Sequence, residues 1–183
     1  MPATKQKATL ADFRALPEGP PYYELIDGEL IEMPSPTPEH QRIVFQLARR
    51  MADFAEEHEL GEVFVAPLDT HLTETDAYQP DVLFISDERR DIVGDRIEGA
   101  PDLVVEVLSP STGYYDLTRK RRVYAETGVR EYWIVDSKEQ TIRVLERPGG
   151  EQFEARSETR DEDAAVHSGV LDGFSVRLAE LTP

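Results

Sequence analysis

With 37 acidic against 20 basic side chains in 183 residues, the chain carries a formal net charge of -17, which excludes a generic nucleic-acid coat but leaves room for a local basic groove. It has no cysteine, so disulfides and thiolate metal sites are excluded, as fits a reducing compartment. The length suits one domain over 1–183 that buries its own core, with 1–8 a flexible lead, and the polar opening predicts a soluble cytoplasmic protein with no membrane partner.

Thr9-Leu10-Ala11-Asp12 has the spacing of a capping box and starts a short helix that Pro17 and the stretch 19–21 must stop. Asp27-Gly28 then joins two apolar runs, 22–26 and 29–33, as a two-residue hairpin turn, with Glu24 a solvated strand residue on this reading. Thr37-Pro38 supplies an N-cap and a first helical residue, and Ile43, Val44, Leu47, Met51 and Phe54 mark an amphipathic helix ending near Gly61. His40 falls on the edge of that apolar stripe, where a packing role is the ordinary reading. Segments 62–66 and 69–72 are expected to form a hairpin-like pair, followed by a polar loop through Thr75-Asp76.

Asp81 opens a buried strand just after Pro80, either as a turn residue or as a ligand. A charged loop over 87–98 links it to the almost continuous apolar run Leu103-Val104-Val105-Glu106-Val107-Leu108, which places the two strands side by side. Glu106 is the anomaly of that run: a carboxylate there sits at a sheet rim, is paired, or binds metal. A helix over 116–127 follows, closed by Gly128, and helical spacing groups Leu117, Lys120, Tyr124 and Thr127 on one face with Arg119 and Arg122 flanking. Lys120 therefore suits an inward-facing role less ordinary than a solvated charge. Strands over 131–136 and 141–146, the second with one wet face, an outer strand over 152–158 and a covering segment over 170–178 complete the chain.

Two carboxylates on neighbouring strands suit a hard divalent cation such as Mg²⁺ or Mn²⁺, and a nearby lysine can orient water or offset charge on a phosphate. No nucleophile elbow, Gly-rich phosphate loop or His-Glu-x-x-His helix occurs, which argues against zinc and against an organic cofactor.

The ordered set Tyr23-Glu24-Leu25-Ile26-Asp27-Gly28, His40, Pro80-Asp81-Val82, Glu106-Val107-Leu108-Ser109-Pro110-Ser111, Asp116 with Lys120 and Tyr124, and Glu131-Tyr132-Trp133 resembles the Uma2 endonuclease family over nearly the whole chain. The resemblance implies a restriction-endonuclease-like, PD-(D/E)XK fold of α/β (α+β) class: a mixed sheet flanked by helices, with added N-terminal and C-terminal hairpins. It further implies that Asp81 and Glu106 bind Mg²⁺ or Mn²⁺ with Glu24 as an added acidic ligand, that His40 and Tyr124 are accessory, and that DNA is the substrate. The motif's lysine should stand two residues after Glu106, but Leu108 stands there, so Lys120 is the candidate catalytic lysine and Arg119 and Arg122 the candidate phosphate contacts. Free strand edges near Asp27-Gly28 and Thr70-His71, together with the habit of such nucleases, imply a homodimer. Two other readings stay open on the same residues: a non-catalytic binding module, and a metal-dependent hydrolase of another phosphoester.

Overall fold

A computed structural model describes residues 7–109, 113–161 and 163–182. The expected flexible lead therefore lies outside the described residues as far as residue 6; beyond it, Ala8 N–H donates to Gly28 O at 2.9 Å. The Pro110-Ser111 part of the family stretch lies outside them too.

Local signals set the first elements. Helix α1 (Leu10–Arg14) has the predicted capping box on Thr9 and Asp12. Strands β1 (Tyr23–Ile26) and β2 (Glu29–Glu32) form the predicted hairpin, with Asp27 and Gly28 at φ 51° and 75°, the left-handed values a two-residue turn of this kind requires. Helix α2 (Pro38–Glu57) is N-capped by the Thr37 hydroxyl and buries Ile43, Val44, Leu47 and Met51.

The next strands depart from expectation. Strand β3 (Gly61–Val65) does not pair with β4 (Thr70–Thr73); a two-residue turn at Glu74-Thr75 lets β4 fold back on β5 (Asp76–Tyr78), a nearer partner that costs less loop entropy. The expected polar loop is thus a hairpin. Strand β3 instead pairs antiparallel with β6 (Val82–Ser86), and a 3₁₀ helix (Asp87–Ile92) with the short β7 (Ile97–Glu98) leads to β8 (Leu103–Val107). Because β6 and β8 are antiparallel neighbours, the two carboxylate-bearing strands lie side by side as predicted.

The segment after β8 comprises α3 (Gly113–Tyr115), one π-helical turn (Asp116–Lys120) and α4 (Arg121–Thr127), closed by Gly128 at φ 110°. Strands β9 (Glu131–Asp136), β10 (Thr141–Glu146), β11 (Glu154–Thr159), β12 (Ala165–His167) and β13 (Ser175–Arg177) follow. In β10 the expected wet face is mostly covered, since Thr141, Ile142, Val144 and Leu145 are all buried between layers.

The strands form a six-stranded mixed sheet in the order β11-β10-β9-β8-β6-β3, a five-stranded sheet β2-β1-β5-β4-β7, and the pair β12-β13. One face of the six-stranded sheet packs on α2 and the C-terminal segment, where Trp133, Val105 and Phe84 meet Leu47, Met51 and Phe174. Its other face meets α4 and the five-stranded sheet, joining Leu83, Val104 and Ile134 to Ile26, Tyr78 and Tyr124. Side-chain alternation on β8 therefore aims Glu106 into the layer between the sheets. Strand β4 pairs on both sides, so the Thr70-His71 edge invoked for a dimer is closed, whereas β2 is a free edge. No helix among the described residues is long and apolar enough to cross a membrane.

Candidate active site

Between the sheets, Glu106 Oε1 accepts hydrogen bonds from Tyr124 OH at 2.7 Å and Lys120 Nζ at 3.1 Å. Lys120, only 1% exposed, also brings its ammonium to 2.9 Å from Glu24 Oε2 and 3.1 Å from Asp116 Oδ1. Each partner comes from a different element: Glu24 from β1, Glu106 from β8, Asp116 and Lys120 from the π turn. Glu24 is fixed from its other side, where Oε1 accepts from Gln79 N–H at 2.7 Å. Far from a solvated strand residue, it is fully buried, because the second sheet lies over the first.

Asp81 completes the group. Val82 pairs with Val105, and continuing that register sets Asp81 opposite Glu106. Its Oδ2 accepts from Val107 N–H at 2.7 Å and lies 3.3 Å from His40 Nε2, which also donates to Val107 O at 3.1 Å. His40 is thus brought to the site by the first turn of α2, whose backbone Thr37 caps.

The charge balance is lopsided. One ammonium faces three buried carboxylates, with a fourth at Asp81. Burial pushes Glu106 well above the usual carboxylate range; Lys120 pulls it back, while Asp116, Asp81 and Glu24 push it further up. Glu24 is raised for the same first reason, its burial only partly offset by Lys120. Burial alone would lower Lys120, but the surrounding acids outweigh it and hold the ammonium well above its ordinary range. At His40 the bond and charge of Asp81 overcome burial, so the imidazole is raised. Tyr124, buried against Glu106, stays a phenol and a donor. A pocket so rich in carboxylate oxygen has a deficit of positive charge.

The π turn explains what helical spacing missed. Its wider winding gathers Asp116, Lys120 and Tyr124 on the inner side and turns Leu117 outward, 38% exposed instead of in the core. Asp116 could have been found from its place four residues before Lys120, but a regular helix drawn through Leu117 hides it. Arg119 and Arg122 lie outside the cluster: Arg119 pairs with Glu29 at 3.2 Å and Arg122 with Glu126 at 3.8 Å, so neither guanidinium is without a carboxylate.

Comparison with known proteins agrees with this architecture. The family described as "Uma2: Putative restriction endonuclease" matches residues 10–179. The chain belongs to the Uma2 family. A crystal structure titled as "a putative nuclease belonging to DUF820", from Anabaena variabilis, has this fold, with a TM-score of 0.82 at 22% identity over 94% of this chain and 96% of its own. An uncharacterized Synechocystis protein, sll1609, is 27% identical over 137 residues, 71% of this chain and 75% of the relative. Uma2 membership and the mixed sheet flanked by helices together point to nuclease function.

Proposed function

We propose that the protein is a divalent-metal-dependent endonuclease hydrolysing DNA phosphodiester bonds, with Asp81, Glu106 and Lys120 as its catalytic set. The observation that carries this reading is the carboxylate excess around Lys120, which a hard cation would balance. Among the described residues no group of three or more His, Cys, Asp or Glu side chains already has the arrangement of a metal cage. The donor chemistry nevertheless fits: Asp81 and Glu106, with the Val107 carbonyl that His40 now meets, would hold Mg²⁺ or Mn²⁺ through oxygen atoms alone, the donors such hard cations prefer. Glu24 stands behind them as a further carboxylate. When bound, such a metal supplies charge stabilisation at the phosphate and acidifies a bound water.

The chain's own groups do the rest. Lys120 orients Glu106 and favours its ionised form against burial, and its ammonium is a cation that would offset charge developing on a phosphate oxygen. Tyr124 fixes the same carboxylate oxygen, and His40 holds Asp81 on the Val107 main chain. A homodimer joined at the free β2 edge belongs to this proposal, and a monomer mass by light scattering at micromolar concentration would refute it.

Cleavage of plasmid and single-stranded DNA in Mn²⁺ tests the reading: wild type should cleave, and Asp81→Asn should not. A second reading, a non-catalytic module, draws on Leu108 in the usual lysine position and on Lys120 already shared by three acids. It wins if wild type neither cleaves under any of several metals nor shows a metal-dependent rise in melting temperature.

A further inference from the structure

Arginines in this acidic chain mostly end on carboxylates. Arg14 pairs with Glu98, Arg90 with Glu62, Arg143 with Glu158 and Arg156 with Glu146, beside the pairs already described for Arg119 and Arg122. Among the described residues Arg96, Arg121 and Arg147 have no ion pair, and three more such arginines lie together on helix α2: Arg42, and Arg49 and Arg50, whose guanidiniums donate to the Gln46 side chain, Arg50 also to the Gln46 carbonyl. No Asp or Glu occurs from His40 to Ala52, although the chain holds 37 of them in 183 residues. Between Arg42 and Arg49, on the same outward face, Phe45 is 62% exposed.

Phe45 and the two arginines set an aromatic face and positive charge side by side on one exposed helix surface. An unpaired nucleic-acid strand has use for both, since arginines neutralise its phosphates and an aromatic ring stacks its bases without regard to sequence. Arg42 and Arg49 are seven residues apart, about 10 Å along the helix axis, so they can meet different phosphates of one strand. Position agrees as well. The N-terminal turn of α2 carries His40 to Asp81 and Val107, so the arginine face begins one turn from the end of the helix that borders the carboxylates.

We propose that the outward face of α2, through Arg42, Phe45 and Arg49, is the guide for a single-stranded or unpaired segment of the nucleic-acid substrate, with Phe45 as a base-stacking platform. This rests on the nuclease reading above and assigns to α2 the phosphate contacts that the sequence suggested for Arg119 and Arg122. A second copy of this acidic chain is the rival occupant.

Fluorescence anisotropy with a labelled single-stranded 20-mer and the matching duplex, in EDTA so that no cleavage occurs, separates binding from chemistry. Arg42→Ala combined with Arg49→Ala should weaken single-strand binding at least tenfold and lower the slope of log K against log salt by about 1.4, two contacts at about 0.7 each. Phe45→Ala should weaken the single strand about tenfold and the duplex by less than threefold. Arg119→Ala combined with Arg122→Ala should change neither. Unchanged single-strand binding by both α2 variants overturns the guide even if wild type cleaves DNA, and absence of binding by wild type overturns it as well. Loss of a dimer in light scattering, with unaltered DNA affinity, would assign the face to the second copy. If the α2 variants lose binding as expected but wild type cleaves nothing, the guide stands and the catalytic reading falls. Circular dichroism melts confirm that these surface changes leave the fold intact.

Discussion

Glu106 and Glu131 are both buried carboxylates on adjacent parallel strands, β8 and β9, yet they are neutralised in opposite ways. Glu131 faces the α2 side, where Trp133 Nε1–H at 2.6 Å, Ser168 Oγ–H at 2.7 Å and the Gly169 and Val170 N–H groups all donate to it. Neutral dipoles supply all of these hydrogen bonds, the Arg156 guanidinium adds positive charge nearby, and the result is a clasp that ties the C-terminal segment to the sheet. Glu106 faces the other side, where a cation and a phenol meet it but three further acids crowd the same space. Dedicated donors suit a carboxylate that holds structure together, whereas the unbalanced set is the feature on which the metal proposal for Glu106 rests.

Variants can break this contrast. The largest effect is expected for Lys120→Met, which leaves Glu24, Glu106 and Asp116 buried without their cation and should cost about 3–5 kcal/mol in urea unfolding at neutral pH. A loss under about 1 kcal/mol would mean that the acids are already neutral and the imbalance is not real. Glu131→Gln should cost about 1–3 kcal/mol, because an amide NH₂ would face one of its donors, while leaving metal response and cleavage untouched. Any change in metal response there would erase the distinction between the two glutamates. In metal-free buffer Glu106→Gln should shift stability by less than about 1 kcal/mol, since it relieves repulsion as it loses an ion pair, yet it should remove the Mn²⁺-induced rise in melting temperature. Leu117→Ala should be smallest, within about 0.5 kcal/mol for an exposed site; a core-sized loss of about 2–5 kcal/mol would put Leu117 back on the inner face of a regular helix.

Much of this site was readable before any coordinates. Asp81 and Glu106 stood out because apolar runs on neighbouring strands frame them, and Lys120 because an apolar stripe passes through it. Asp116 was named beside Lys120 in the family resemblance but given no role, because the helix face was drawn through Leu117 and so left it out. Glu24 read as a solvated strand residue on its own pattern and joined the acids only through the family resemblance, since its burial is decided by the second sheet over it. The β3–β4 pairing failed for a related reason. A hairpin signal says that two strands can turn toward each other, not that a closer partner is absent.

One consequence concerns how the protein comes to be armed. Glu24 belongs to the five-stranded sheet and Glu106 to the six-stranded one, and Lys120 joins them across 96 and 14 residues of chain respectively. Contacts so far apart in sequence close late on a folding route. A chain still emerging, clipped after its first hairpin, or folded in only one sheet therefore holds at most part of the charge cluster. Lys120 and all three of its acids come together only once the two sheets have docked, so the order in which the chain is built decides when that charge is gathered.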